Sequence, residues 1–186
     1  MPPKVKVTKE DIVNAAVDIV RKSGAEALCA RTLAAVLSCS TQPVFSNFAS
    51  MDELRFAVVE RADALCNSYI AREIANGEYP AYKASGMAYI RFAGEERELF
   101  KLLYMRDRTG EQNKVGAEIG AQMETLVQNN TGLSGDDVKR FHLAMWAFVH
   151  GFAVMAATRF VDLDTALVSD MLTDAYQGLR KRYGME

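Results

Sequence analysis

The stretch CARTLAAVLSCSTQPVFSNFASMDEL, Cys29 to Leu54, decides how this chain is read. Leu33, Ala34, Val36 and Leu37 give its first part the apolar face of a short helix. Nothing in Ser38-Cys39-Ser40 favours continuing that helix. Ser40 is placed to cap a new one, its hydroxyl accepting an orphan backbone N–H of the first turn. Pro43 falls inside that turn, where a missing N–H costs no intrahelical bond. Val44 and Phe48, four apart, face inward, and Thr41, Gln42, Phe45, Ser46 and Asn47 stay on or near the outer face. Ser50-Met51-Asp52-Glu53 reads as a capping box that opens the next helix. Two short helices joined by a tight turn, here about residues 29–48, form a helix-turn-helix unit. Its second helix enters the DNA major groove with its N-terminal residues nearest the base edges. A helical hairpin in any all-α domain has the same spacing, so the pattern alone leaves both readings open.

Upstream, Thr8 caps a first helix whose face is Ile12, Ala15, Ala16, Ile19 and Val20, and Gly24 stops it. This helix braces the two short ones in a three-helix core closed by Leu28 and Phe48. Met1 to Val7 reads as a mobile arm whose lysines can touch phosphates or simply stay solvated. Downstream the chain reads as helix after helix, without a convincing strand. A fourth helix runs from Met51 to about Ala75, with Leu54, Val58, Leu65 and Tyr69 close to one face. A fifth starts at Pro80 and carries Tyr82, Met87, Tyr89, Ile90 and Phe92. After a break near Gly94 to Glu96, a sixth carries Leu99, Phe100, Leu102, Leu103 and Tyr104. Glu95-Glu96-Arg97-Glu98 reads as a solvated helix start, and Arg106 to Gly110 as a loop. Val115, Ile119, Met123, Leu126 and Val127 mark a seventh helix.

The eighth helix opens at Ser134 or Gly135 and is apolar on two sides. Val138, Phe141, Met145, Phe148, Val149 and Phe152 make one side, and Leu143, Trp146, Ala147 and Ala153 the other. Such a helix must be covered twice, and its own body supplies one cover. Asp162 and Asp164 precede a ninth helix with Leu167, Met171, Leu172, Ala175 and Leu179, ending in Arg180-Lys181-Arg182, where positive charge suits a helix C-terminus. The expected assembly is a homodimer that joins the eighth and ninth helices of two copies in a four-helix bundle.

Composition bounds the rest. The chain has 186 residues, 49% hydrophobic and 25% charged, with only four prolines, the profile of an ordinary globular protein of one large or two small domains. The formal net charge of −2 excludes a uniformly basic nucleic-acid binder. Residues 1–50, however, hold six Lys/Arg against four Asp/Glu, and the remainder sixteen against twenty. A mildly basic head on an acidic body fits a DNA-binding head, as does chance asymmetry on a solvated surface. Cys29, Cys39 and Cys66 are odd in number and lack Cys-x-x-Cys spacing, which fits buried thiols in a reducing compartment. The N-terminus has no apolar signal region. The most apolar run, Leu143 to Ala157, is interrupted by His150 and Gly151 and is shorter than the ~20 residues of a spanning helix. A cytoplasmic protein with no membrane contact is expected.

Residues from about Thr8 to Leu54 resemble the N-terminal domain of the TetR (tetracycline-repressor-like) family of bacterial transcription regulators. The signs are Arg31-Thr32-Leu33-Ala34, then Ser40-Thr41-Gln42-Pro43-Val44-Phe45-Ser46-Asn47-Phe48, then Ser50-Met51-Asp52-Glu53-Leu54. Phe45 stands where the family has a Tyr that reaches a phosphate, Asn47 where it has an aromatic or His, and Met51 where it has a Lys. The run Trp146-Ala147-Phe148-Val149-His150-Gly151 and the stretch Arg91-Phe92-Ala93 with Leu99-Phe100 resemble one branch of the family, with a Trp-x-x-x-His-Gly C-terminal domain. The resemblance implies an all-α fold of about nine helices. A DNA-binding domain over 1–50 would precede a ligand-binding and dimerisation domain over 51–186, with the connecting helix at about 51–75.

Within this frame Gln42 can present a donor and an acceptor to adenine, Thr41 can touch a base or phosphate, Pro43 a thymine methyl, and Arg31 a phosphate. Thr32, Ser40, Phe45, Ser46 and Asn47 complete the candidate DNA surface. Tyr89, Phe92, Tyr104, Met105, Met123, Trp146 and His150 are candidates for a pocket that takes an apolar or aromatic molecule, because Met adapts its shape and aromatics line such sites. The same residues also suit an ordinary core, and His150 suits a hydrogen-bonded core histidine. No His-Glu-x-x-His, nucleophile elbow, P-loop or dinucleotide fingerprint is present, and His142 and His150 are eight apart, too far for an i, i+4 metal pair. The expectation is therefore no enzyme, no cofactor and no metal. It is a ligand-responsive regulator that binds a palindromic operator as a homodimer, repressing until a small molecule releases it. The alternative is a helical small-molecule-binding protein that has lost specific DNA binding.

Overall fold

The structure, a computed structural model, describes residues 7–107 and 114–185. Most of the expected arm (residues 1–6) and of the expected loop (residues 108–110) lies outside them, as do the side chains of Val115 and Ile119. Among the described residues the regular structure is entirely helical, with nine α-helices: α1 (Lys9–Ser23), α2 (Ala30–Val36), α3 (Gln42–Asn47), α4 (Met51–Asn76), α5 (Ala81–Glu95), α6 (Arg97–Tyr104), α7 (Lys114–Thr131), α8 (Asp136–Thr158) and α9 (Thr165–Arg182). The chain divides into two compact units. One combines residues 1–65 with 96–106, and the other combines 66–95 with 107–186.

In the first unit, α1 starts where its sequence says it should. The Thr8 hydroxyl accepts the Asp11 N–H at 3.1 Å, and the Asp11 carboxylate accepts the Thr8 N–H at 2.9 Å, so two orphan donors are satisfied reciprocally. The hydrogen bonds from Thr8 hold the Asp11 carboxyl below its ordinary range. Gly24 ends the helix at φ +81°, a conformation only glycine adopts without strain. The helix buries an arc wider than the single face expected: Ile12, Val13, Ala15, Ala16, Val17, Ile19 and Val20. The reason is that α1 is flanked by α2 and α3 and also by α6, which belongs to this unit. Arg21 on α1 donates to Glu96 at 2.7 Å and to Asp18 at 2.7 Å. The Glu95–Glu98 run is thus not the solvated helix start that its charge suggests. Glu96 is half-buried against Arg21, and Glu98 accepts from Lys101 at 2.6 Å.

In the second unit, α5 and α8 form the central pair, with α7 and α9 against α8. The two run parallel, since contacts advance together along both chains: Tyr82 with His142, Gly86 with Val149, Tyr89 with His150, Gly94 with Ala156. Close approach is bought by small residues, because a Cβ on Gly86 would sit 3.3 Å from Val149 Cγ2. One core cluster joins Val127 of α7 to Val138, Phe141 and Met145 of α8, with Tyr82, Tyr176, Leu179 and Tyr183 packed against it. Full burial of each such side chain contributes about 1.5–3 kcal/mol. Gly135 and Asp164 precede α8 and α9, as read from sequence, and the Asp164 carboxylate accepts the Leu167 N–H at 2.9 Å. By length and composition alone α8 is long and apolar enough to cross a membrane, which the shorter run Leu143–Ala157 had not suggested. Its packing on α5, α7 and α9, and four charged residues in its first turns (Asp136, Asp137, Lys139 and Arg140), are those of a bundle helix.

Candidate functional site

The helix-turn-helix begins with α2, only two turns long. Leu33 and Ala34 are buried and Leu37 is half-buried, but Val36 is 56% exposed rather than part of the core. Ser38 ends the helix in the left-handed region, at φ +51°, and the Cys39 N–H reaches back to the Ala34 carbonyl at 2.9 Å. This is a Schellman closure made by a serine instead of the usual glycine. Ser40, expected to cap α3, does not. The residue before α3 is Thr41, whose own backbone is already helical (φ −72°, ψ −13°) and whose side chain makes no capping bond. A cap needs extended backbone to aim its oxygen at the first turn, and this turn is too tight to supply it. Pro43 stands in the first turn as expected.

Val44 and Phe48 anchor α3 in the core of the first unit, and Lys9 lies over the Phe48 ring at 4.6 Å. Gln42, Phe45 and Ser46 are exposed, as are Ser40 and Arg31, whereas Thr32, Thr41, Pro43 and Asn47 are half-buried. Two of the polar candidates are tied to their own helix. Ser46 Oγ donates to the Gln42 carbonyl at 2.9 Å, and Asn47 Nδ2 to the Pro43 carbonyl at 2.8 Å. Thr32 Oγ1 lies 3.0 Å from Cys29 Sγ. That contact, with the Thr32 and Arg31 backbone amides and the Arg31 charge, draws the exposed Cys29 thiol below its usual value. Behind α3, Ser50 Oγ accepts the Glu53 N–H at 3.2 Å, but Glu53 answers to the N–H of Ala49, one residue before the cap, at 2.7 Å.

The apolar and aromatic candidates divide between the units. Tyr104 and Met105 end α6, in the first unit; Tyr104 packs on Phe100, with ring centroids 5.1 Å apart, and Met105 is exposed. Tyr89, Phe92, Met123, Trp146 and His150 belong to the second. There Tyr89 and His150 share a hydrogen bond of 3.0 Å, and the Trp146 ring stacks on His150 at 4.8 Å. Phe92 is fully buried and meets Tyr69 edge-on at 5.5 Å, and Met123 is half-buried on α7.

Two features of this unit were invisible in sequence, and a third was legible only in part. Tyr82 and His142 make a second tyrosine–histidine bond, 3.1 Å long. Glu73 is buried to 3% exposure. Arg91 donates to its Oε2 at 2.6 Å, while Oε1 has no hydrogen-bond partner among the described residues. The third is an apolar surface. Leu143 (62% exposed), Trp146 and Met155 on α8, Leu167 and Met171 on α9, and Phe160 and Val161 between them are all exposed. Phe148, read on the same side of α8 as Phe141 and Phe152, is half-buried and packs edge-on against Phe152 at 5.3 Å, and Ala153, read on the other side, is buried.

Residues 82–176 match the family model for the tetracyclin repressor-like C-terminal domain. Comparison with curated protein sequences returns no match. Among solved structures, a protein of unknown function from Rhodococcus sp. RHA1 is similar at 21% identity and a TM-score of 0.74, over 97% of this chain and 98% of that one. A TetR-like transcriptional regulator from the same organism is similar at 19% identity and a TM-score of 0.68, over 96% and 98%. The multidrug binding protein EbrR, complexed with imidazole, is similar at 17% identity and a TM-score of 0.59, over 94% and 97%. At these identities the three structures testify to the fold.

Proposed function

The chain belongs to the tetracycline-repressor-like family of transcription regulators, and on that premise we propose that it is a repressor that binds a palindromic operator as a homodimer and releases it when a small apolar or aromatic molecule binds. Residues 1–50 supply the DNA contacts, and residues 51–186 the ligand site and the dimer interface. The observation that carries the DNA reading is α3. Six residues long, it is pinned by Val44 and Phe48 so that Gln42, Phe45 and Ser46 face outward, with Arg31 exposed on α2. Gln42 reads a base edge, while Arg31 and Thr41 hold the backbone.

Dimerisation through α8 and α9 is supported by the exposed apolar residues they share, a pattern that marks interaction surfaces. The ligand site is built around Tyr89, Phe92, Met123, Trp146 and His150, whose aromatic and Met side chains suit an apolar or aromatic occupant, and one structural neighbour is named as a multidrug binding protein. Control requires different ligand affinity in the DNA-bound and free arrangements, and linkage requires operator DNA to weaken ligand binding by the same factor. The heads of a dimer must lie about 34–36 Å apart to enter successive major grooves, so a ligand that alters this spacing releases DNA.

The test is operator selection followed by salt titration. Gln42→Ala costs about 1–3 kcal/mol at one base position, while Arg31→Ala weakens all sequences alike and lowers the salt slope by about one. Equal binding of wild type and both variants to a selected operator would sink the reading. A chain that selects no operator yet binds small molecules is the helical binding protein that has lost specific DNA binding, a reading favoured by the phenyl ring at position 45 and the tethered Asn47.

A further inference from the structure

The chain has two histidines, and both lie on α8. Each ring places Nδ1 against a tyrosine hydroxyl of α5: His142 against Tyr82 at 3.1 Å and His150 against Tyr89 at 3.0 Å. Because α5 and α8 run parallel, the two contacts lie on one seam, two turns apart on each helix. Burial raises both tyrosine hydroxyls well above their ordinary value, so they keep their protons and donate. At Tyr89 the Trp146 side chain also bonds to the hydroxyl. An indole can only donate, so it occupies the oxygen and directs the phenolic proton to His150. A tyrosine that donates makes its imidazole accept at Nδ1 and carry its proton on Nε2.

We propose that the Tyr82–His142 and Tyr89–His150 pairs form a proton-operated latch between α5 and α8, closed while both imidazoles are neutral and released when they are protonated. Each ring takes one proton from water, at Nδ1. The nitrogen that accepted then donates, and the tyrosine oxygen can take that N–H only when its own O–H turns away. The phenolic proton is left without its acceptor at a mostly buried site, which is the costly half of losing a hydrogen bond.

The groups around each ring set its response. His142 faces Tyr82 of α5, with Tyr176 of α9 behind it, and Glu124 of α7. His150 faces Tyr89 of α5, with the Cys66 thiol of α4 behind it, and Trp146 on its own helix. Burial holds both imidazoles below their ordinary value, and Glu124 opposes that at His142. For a folded value that is depressed, the contribution to stability is complete above the unfolded value of about 6.5 and is lost as pH falls through the folded one. The latch thus opens on acidification. That its opening also alters operator binding rests on the regulator reading above; the latch itself does not.

Imidazole NMR of the whole protein tests it, with only two rings to assign. At pH 7.5 both rings should be neutral with the proton on Nε2, and both midpoints should fall below 6.5. Glu124→Gln should lower the His142 midpoint and leave that of His150 in place. In the His142→Asn/His150→Asn double variant, Oδ1 replaces Nδ1 as a non-titrating acceptor. Hydrogen-exchange protection of α5 amides, corrected for intrinsic rates, should then fall between pH 7 and 5 in the wild type and stay level in the variant. A proton on Nδ1, a midpoint at or above 6.5 in either ring, or equal loss of protection in both proteins would overturn the latch. Failure to bind any operator at any pH would overturn the regulator reading and leave these measurements intact.

Discussion

The first three helices and the α5–α8 pair divide polar from apolar in opposite ways. Around α1, α2 and α3, most apolar side chains are inside and the polar ones outside, Val36 and Phe45 being the exposed exceptions, with Gln42, Ser46 and Arg31 exposed over Val44, Phe48 and Leu33. In the second unit, Glu73, Ser85 and Ser169 are buried, two histidines bond to buried or half-buried tyrosines, and Leu143, Leu167 and Phe160 (81% exposed) face outward. The difference fits the division of work proposed above. A surface that meets DNA is polar and obeys the ordinary partition, so a sequence pattern finds it. A region that receives a ligand or a second copy breaks the partition, and each break needs a partner.

Three measurements sharpen or break this comparison. The largest effect is expected at the buried carboxylate. Arg91→Ala leaves Glu73 charged, buried and unpaired, a loss of about 3–5 kcal/mol for a buried pair and nearer the lower figure here, because the Arg91 side chain is partly exposed. Urea unfolding reads it. A loss under ~1 kcal/mol would mean that Glu73 reaches solvent, and the inversion would lose its strongest case. Next, Leu143→Glu puts a charge into the exposed apolar surface. The dimer constant should weaken at least tenfold, about 1.4 kcal/mol, as read by sedimentation across a concentration series. Unchanged association would remove that surface from the interface. The smallest effect belongs to the head. Thr8→Ala removes the two bonds made by the Thr8 hydroxyl, leaves the backbone N–H donating to the Asp11 carboxylate, and costs about 1 kcal/mol. The Asp11 carboxyl is depressed by this cap, so its contribution is present above the unfolded value and is lost as pH falls through the folded one. The variant should therefore be less sensitive to acid than the wild type between about pH 5 and 2, a range around the ordinary Asp value. The same acid sensitivity in both would dissociate the cap from the titration.

What the sequence revealed follows from the reach of each interaction. The Thr8 cap and the stop at Gly24 were legible because they act within one turn. Ser40 was misread because the choice between Ser40 and Thr41 depends on the backbone angles of a tight turn. Val36 was misread because α2 is too short for all of its apolar positions to reach the core. The two-sided apolarity of α8 was legible as a period. Which side α5 covers was not, since the close approach of the two helices is made at Gly86, some sixty residues away in the chain. The tyrosine–histidine bonds span 60 and 61 residues, and the Glu73–Arg91 pair spans two helices, so no local pattern announces them. The candidate DNA face is thus written locally, and the candidate ligand face is not.

The membership of α6 in the first unit also governs the order in which this protein can be built. Arg21 waits for Glu96, 75 positions later, and the gap beside Gly24 is filled by Glu98. At translation speeds of about 5–20 residues per second, the three N-terminal helices exist for roughly 3–11 seconds before the segment that covers the last flank of α1 has been synthesised. Through that interval part of the apolar arc of α1 faces water, or a chaperone. A gene fragment that stops at the end of α3 fixes the same condition permanently. It encodes every proposed base contact and omits a wall of the room that holds them, so such a fragment should aggregate or unfold more readily than the whole chain.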